Sequence, residues 1–445
     1  MRKLAQFLFI WLLISALGAS IFLTAQYYKA LGDERRENLR LRRENTRLRE
    51  KLLWQEYEED LYGGGSEDWG QAGRSIEEIQ EEIQQVRGLT LQDDVPTVYM
   101  DEEELAEYLP AQLFRGRSAA DVAGYGRLVK ALGLVEPTAD VAAIYLDVVS
   151  EQAAAFYDEV KKCIVLPEGQ TLPGYAMDLV LAHEFTHALQ DQNFGLEGLG
   201  LTDTANGDRA LAALCLVEGD ATLAMAHFMG ANMSLTAVAE LIGMGLEDDA
   251  YLSAPQFIRR AMLFPYTEGV GFVSALYAEG GWTRVDQAFA DLPASTEQVL
   301  HPARYMWERD EPTHIALPDI SAHLPAVQVL FEDTFGEAGV LVVLESGVEA
   351  KEAALAAAGW DGDRIAALGR GDETAVVWST AWDSATDAEE FASAAERMQA
   401  ERGDAPPHRV QAAGAVALFV QAPDEALLAA LWSALSPALP DGEPN

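Results

Sequence analysis

Residues 183–187 read His-Glu-Phe-Thr-His within Met177–Gln192, MDLVLAHEFTHALQDQ, an otherwise largely apolar stretch. Residues four apart lie one turn apart on the same helical face, so the imidazoles of His183 and His187 can reach a single Zn²⁺ at about 2.0–2.1 Å. Glu184, offset by one position, stands beside such an ion, where a carboxylate can take a proton from a bound water and pass it on. Zinc lowers the pKa of that water toward about 7, which makes it a nucleophile for a peptide carbonyl. The chain has only seven histidines, so two of them enclosing Glu184 at helical spacing is unlike a chance arrangement. Burying these groups among Leu179, Val180, Leu181, Phe185 and Leu189 without a metal is costly, which disfavours a pair of merely structural core histidines.

A zinc site that works on peptides needs a third protein ligand. The metzincin continuation requires Gly at 190 and His at 193; the chain has Gln190 and Asn193, which excludes it. The next apolar helix, Asp208–Met229 (DRALAALCLVEGDATLAMAHFM), carries Glu218 and Asp220 in its middle. An acid among Leu214, Leu216, Val217 and Leu223 needs a partner in a low-dielectric setting, and a metal is the natural one. Glu218 is therefore the expected third ligand. Asp220 is expected to orient a ligand histidine or to make a helix-packing hydrogen bond. Asp203 and Asp208 are outside candidates for the ligand, and His227 reads as a core or rim histidine.

These residues resemble the gluzincin class of zinc metallopeptidases, the thermolysin-like enzymes with two His and one Glu. The wording HEFTHALQDQNFGL, LVEGDAT, FPYTEGVGFVSALY and STEQVLHPARY is similar to a group of bacterial secreted or membrane-anchored proteins read as metallopeptidases, over roughly residues 94–310. The chain departs from thermolysin in two places. Thirty residues separate His187 from Glu218, a longer gap that implies an inserted loop at Asn193–Gly207, and Thr222 stands four after Glu218 where that family has Asp. The resemblance implies a Tyr or His that hydrogen-bonds the developing oxyanion. Tyr266, which precedes an expected helix Val270–Tyr277, and His301, held before Pro302, are the candidates, with Tyr305 beside His301.

The elements that must position these groups follow from periodicity. Ser75–Val86 reads as a helix, Val95–Met100 as a strand, Asp101–Leu109 and Asp121–Leu134 as helices, and Ala153–Leu166 as a short hairpin leading into the histidine helix. The fold class is α+β: a mostly helical, thermolysin-like zincin domain with a small mixed sheet beside the histidine helix, followed by a small α/β unit. In that unit Thr374–Ser379 and Ala415–Gln421 read as strands, Asp387–Gln399 and Asp424–Leu435 as helices, and Trp360, Trp378 and Trp382 as core. It serves as a lid completing the cleft or as a substrate-binding module.

The N-terminal part is of another kind. Leu4–Ala25 is 22 uncharged residues, enough to cross a hydrocarbon core of roughly 30 Å. Ile21, Phe22 and Leu23 extend the apolar run, which favours a retained signal anchor over a cleaved peptide. Leu31, Asn38, Asn45 and Leu52 with Leu41 and Leu48 form heptads of a short parallel coiled coil, a possible homodimer contact through residues 31–62; the alternative is a single solvated helix. Gly63-Gly64-Gly65-Ser66 makes a joint. The expected organisation is an anchor at 1–25, a coil at 28–62, a linker with a short helix at 63–93, a metallopeptidase domain at 94–315 and the last unit at 325–445. This places the protein at the cell membrane, single-pass, with an extracytoplasmic catalytic domain, although Lys and Arg flank both ends of the span.

Charge divides the same way. The net charge is −41, yet residues 1–51 carry 11 Lys/Arg against 5 Asp/Glu, leaving 20 against 67, or −47, for the rest. A body that acidic repels phosphate backbones, which excludes nucleic acid as its partner and favours basic or neutral peptides. Two cysteines, Cys163 and Cys215, are too few for a disulfide scaffold. The reading is a membrane-anchored zinc peptidase; a catalytically silent zincin-fold binding or scaffold protein is the alternative from another class.

Overall fold

The computed structural model describes residues 74–152, 155–168, 174–232, 249–403 and 405–436. The expected anchor at 4–25, the coiled coil and the glycine joint lie outside the described residues. The first half comprises α1 (Ile76–Arg87), β1 (Thr97–Met100), α2 (Glu102–Leu113), α3 (Ala119–Ala131), α4 (Val141–Gln152), β2 (Phe156–Asp158), β3 (Cys163–Pro167), α5 (Gly174–Phe194) and α6 (Gly207–Asn232). The second half comprises α7 (Asp249–Ser253), α8 (Gln256–Ala290), α9 (Thr296–Leu300), α10 (Ile320–His323), β4 (Gln328–Asp333), α11 (Gly336–Leu344), α12 (Ala350–Ala357), β5 (Trp360–Arg370), β6 (Glu373–Trp382), α13 (Ala385–Glu401), β7 (His408–Ala413), β8 (Val416–Gln421) and α14 (Glu425–Leu435). The architecture is α+β.

Two cores organise it. In the first, α5 and α6 lie side by side, apolar nearly all round, as core helices must be. Around them pack α1, most of α8 and a mixed three-stranded sheet of order β1-β3-β2, in which β1 pairs parallel and β2 antiparallel to β3. The small mixed sheet expected beside the histidine helix is present. Helix α1 starts at a reciprocal Ser75–Glu78 cap, as its sequence suggests. It buries Ile79 and Ile83, four apart, against the α5–α6 pair, a contribution of about 1.5–3 kcal/mol each. This helix, expected in a linker stretch, is thus part of the core that holds the histidine helix.

The second core lies on one face of a five-stranded sheet of order β4-β5-β6-β8-β7. All its pairs are antiparallel, so the C-terminal unit, read from sequence as α/β, has two hairpins, β5–β6 and β7–β8, and no parallel strand pair among the described residues. Trp360, Trp378 and Trp382 are buried in it, as expected. Helices α3 and α4, which precede the histidine helix in the chain, pack here through Leu128, Val129, Leu132 and Val148, so the two halves are interleaved. The other face is covered by α10 and α14.

Helix α8 differs from the expectation of a helix beginning after Gly269. It runs through Pro265 and continues to a kink at Gly280–Gly281, where Gly281 takes φ 63°. A proline inside a helix costs about 3 kcal/mol. Burial of Phe264, Val270, Phe272 and Val273 on the same helix offsets that cost. Among the described residues, one stretch, Gly207–Phe228 in α6, is long and apolar enough to cross a membrane. Two thirds of it (67%) is buried inside the protein, and it carries Glu218, which makes it a core helix of the fold.

Candidate metal centre

Helix α5 places His183 and His187 on one face, with ring centroids 4.7 Å apart. Helix α6 brings Glu218 to the same point. The Nε2 atoms of the two histidines are 3.1 Å apart, and the Glu218 Oε2 lies 3.2 Å from His183 and 3.5 Å from His187. A tetrahedral centre with bonds of about 2.0–2.1 Å has ligand–ligand edges of about 3.4 Å, so the three donors fit one zinc ion. The fold brings together the three residues that the sequence offers as ligands.

The charges point the same way. Burial alone would lower the His187 pKa, but the adjacent Glu218 and Glu184 carboxylates push it up to about 9. Glu218 is raised by burial and more than compensated by the two imidazoles, which pull it down to about 2. A carboxylate and two imidazole nitrogens meeting in a low-dielectric setting call for a positive charge between them, which a proton on His187 supplies and a divalent metal can replace. A second cluster, Glu297, Asp310 and Asp383, is already served by the Arg304 guanidinium.

The tautomer of His187 is set by its surroundings. The Gln190 Nε2 donates to the Val217 carbonyl and to Asp220 Oδ2, both at 2.9 Å. Its Oε1 must therefore face His187 and accept from Nδ1, at 2.9 Å, which leaves Nε2 to point at Glu218 and His183. Of the two roles expected for Asp220, the structure shows the helix-packing hydrogen bond, to Gln190 on α5, and Asp220 reaches His187 only through that amide. Gln190 was noticed in the sequence only as a departure from the metzincin pattern. Its signal was available: a polar residue one turn after His187 in an apolar helix. The His183 Nδ1 is buried with no hydrogen-bond partner among the described residues.

Glu184 is buried beside the histidines, and its Oε2 accepts the backbone N–H of Tyr157 on β2 at 2.8 Å. Burial raises its carboxyl above the usual range, against the pull of the two imidazoles and that N–H. The β2–β3 hairpin is itself fastened to α5, since Asp191 accepts from the Tyr157 hydroxyl at 2.7 Å and from Lys162 Nζ at 2.6 Å.

Tyr266 joins the site because α6 and α8 touch at glycines. A Cβ on Gly219 would come within 2.2 Å of the Gly269 carbonyl oxygen, and one on Gly269 within 2.3 Å of that of Cys215. Nothing larger fits at this crossing. It sets Tyr266, one turn before Gly269, against Glu218, which its hydroxyl hydrogen-bonds; its ring centroid is 6.2 Å from that of His183. Burial, with Glu218 and Glu184 nearby, raises the phenol far above its ordinary value, so it stays protonated and can donate.

The other residues considered lie elsewhere. His301 is paired with Glu337 at 2.9 Å on the α9–α11 contact, and Tyr305 donates to the Asp291 carbonyl. His301, a candidate oxyanion helper, is therefore committed to a structural pair. Asp208 accepts from Thr296, Asp203 from the Ala205 N–H, and His227 packs against Tyr277 and Trp282. Cys163 and Cys215 are buried free thiols.

A cavity of about 530 Å³ opens onto His183, Glu184, His187, Glu218 and Tyr266. Its other walls are mostly apolar, including Leu109, Val180, Met225 and Met262, and no Lys or Arg lines it among the described residues. A family model described as a domain of unknown function, DUF8575, matches residues 327–431, the antiparallel sheet with α11 to α13 and most of α14. No curated protein and no solved structure matches the chain.

Proposed function

We propose that this protein is a membrane-anchored zinc-dependent peptidase of gluzincin, thermolysin-like type. The observation that carries the reading is the convergence of His183 Nε2, His187 Nε2 and Glu218 Oε2 within 3.1–3.5 Å, with the Glu184 carboxylate beside them. Zinc held by those three residues would polarise a peptide carbonyl and acidify a water.

The chain's own groups supply the rest. Glu184 is held through Oε2 by the Tyr157 N–H, leaving Oε1 to take a proton and return it to the leaving amine. Its burial moves its proton affinity in the direction a general base needs near neutral pH. Tyr266 offers a hydroxyl across the cavity to the oxygen on which negative charge develops. Among the described residues no Lys or Arg lines the cavity to pair with a substrate's terminal carboxylate, which favours cleavage within a chain over removal of a C-terminal residue. The anchor at 4–25 and the extracytoplasmic placement belong to the same proposal.

Metal analysis of the full chain in detergent, with cleavage of a mixed peptide library, tests it. The expected result is one equivalent of zinc, turnover abolished by a chelator, and a Glu184→Gln variant that keeps its zinc while kcat falls by about 10²–10⁴. A wild type without stoichiometric zinc overturns the metal centre. A zinc-bearing wild type without turnover supports the silent scaffold instead. A Glu184→Gln variant as fast as wild type removes Glu184 from the chemistry.

A further inference from the structure

Arg87, the last residue of α1, is fully buried, an unusual place for a guanidinium. Its Nε donates to Asp220 Oδ1 at 2.7 Å, its Nη2 donates to Asp286 at 2.6 Å, and its plane lies over the Trp282 ring at 4.5 Å. Asp220 is fully buried as well, and its other oxygen accepts from Gln190, which in turn accepts from the ligand His187. An unbroken line of hydrogen bonds thus runs from α1 to the metal centre, with Arg87, Asp220 and Gln190 each 0% exposed.

Stability alone does not account for this line. Replacing a buried ion pair by apolar groups of similar volume is often neutral or stabilising, so such a pair is weak evidence of a role in holding the fold. What this pair does is directional. The Asp220 carboxylate gives the Gln190 amide an acceptor at its nitrogen end, and the Arg87 charge keeps that carboxylate compensated in a buried setting. With only the Val217 carbonyl left to accept there, the amide is held less firmly and could turn its nitrogen toward His187, which would then present Nδ1 as acceptor and Nε2 as N–H, the wrong end for a metal.

We infer that Arg87 is a positioning residue of the metal centre, acting on His187 through Asp220 and Gln190. The inference rests on the metal reading above. It makes α1, which lies before the expected start of the catalytic domain at residue 94, part of what sets metal affinity.

The test is Zn²⁺ affinity of the full chain, measured by competition with a chromophoric chelator, for wild type and for Gln190→Met, Asp220→Asn and Arg87→Met. Each variant is expected to bind zinc about 10- to 100-fold more weakly, although only Gln190 touches a ligand. Because the three act in one line, Arg87→Met combined with Gln190→Met is expected to lose no more than about threefold beyond Gln190→Met alone. Arg87→Lys keeps a cation against Asp220, and is expected to recover most of the affinity that Arg87→Met loses. If Arg87→Met does not fold, Asp220→Asn takes its place in the cycle.

Singles that bind zinc like wild type overturn the inference while leaving the metal centre standing. So do losses that multiply in the double variant, because they mean that Arg87 acts independently of Gln190. A wild type that binds no zinc overturns the metal reading itself, and the inference with it.

Discussion

Two buried polar clusters invite comparison, the metal centre and the knot around Asp363 in the C-terminal sheet. Asp363 is 2% exposed, and four donors close on its carboxylate: the N–H groups of Phe335 and Gly336 and the indole N–H groups of Trp360 and Trp378. Every acceptor there meets a donor. At the metal centre the pattern is inverted, with two imidazole nitrogens and a carboxylate oxygen meeting one another. A buried acceptor surrounded by donors is a structural device, while a buried carboxylate and two imidazoles meeting one another hold a proton on His187 that a divalent cation can displace.

The contrast yields opposite outcomes for removing a carboxylate. Glu218→Ala is expected to abolish stoichiometric zinc binding and to lower the urea unfolding midpoint of the metal-free protein by less than Asp363→Ala does, because it breaks the pairing with the imidazoles but His187 can then shed its proton; metal analysis and unfolding followed by tryptophan fluorescence check both. Asp363→Ala strands four buried donors. It is expected to cost about 3–5 kcal/mol of stability with zinc stoichiometry intact in the folded fraction. If Glu218→Ala behaved like Asp363→Ala, the distinction between the two clusters would fail.

Aromatic polar tips divide in the same way. The Trp378 N–H donates to Asp363 in the closed core, whereas the Tyr266 hydroxyl hydrogen-bonds Glu218 on the wall of the cavity. Tyr266→Phe is expected to lower kcat at saturating zinc about 100-fold and to weaken zinc binding by about 10-fold, as steady-state kinetics and chelator competition would show. His301→Ala is expected to leave kcat unaltered.

A smaller effect comes from pH. Burial pushes the Asp208 carboxyl up to about 7, opposed by its bonds to Thr296 and assisted by Asp363 and Glu337. Its pKa in the unfolded chain is about 3.9. The native state therefore holds the proton more tightly, so this contribution to stability is complete below about pH 4, declines as pH rises toward 7 and is absent above it. Asp208→Asn removes the decline. Its urea midpoint relative to wild type is expected to rise between pH 4 and pH 7, by on the order of 1 kcal/mol or more, and to stay level beyond.

Much of the metal centre was legible because its grammar is local. His183, Glu184 and His187 are related by helical spacing alone, and Glu218 stands out as an acid in an apolar helix. Gln190 was visible but unread, since its role depends on Val217 and Asp220 of the neighbouring helix. Arg87 lies just past the expected helix Ser75–Val86, and its burial follows from the packing of α1 on α5 and α6. Tyr266 and His301 could not be ranked from sequence, because the glycine crossing of α6 and α8 and the Glu337 side chain made the choice. In the C-terminal unit, β6 and β8 were read from their apolar runs. The strands β4, β5 and β7 were not, since their residues become strands through pairing with those neighbours.

The sequence by itself determined which groups can bind a metal and which carboxylate stands beside them, because a helix turns by a constant angle per residue and carries that geometry in its spacing. Only the tertiary structure decided that Glu218 and Tyr266 meet those groups, that His301 does not, and that an arginine more than ninety residues before His183 lies behind His187. Contacts between elements depend on which apolar faces pack and how closely their backbones approach, and that is a property of the whole core.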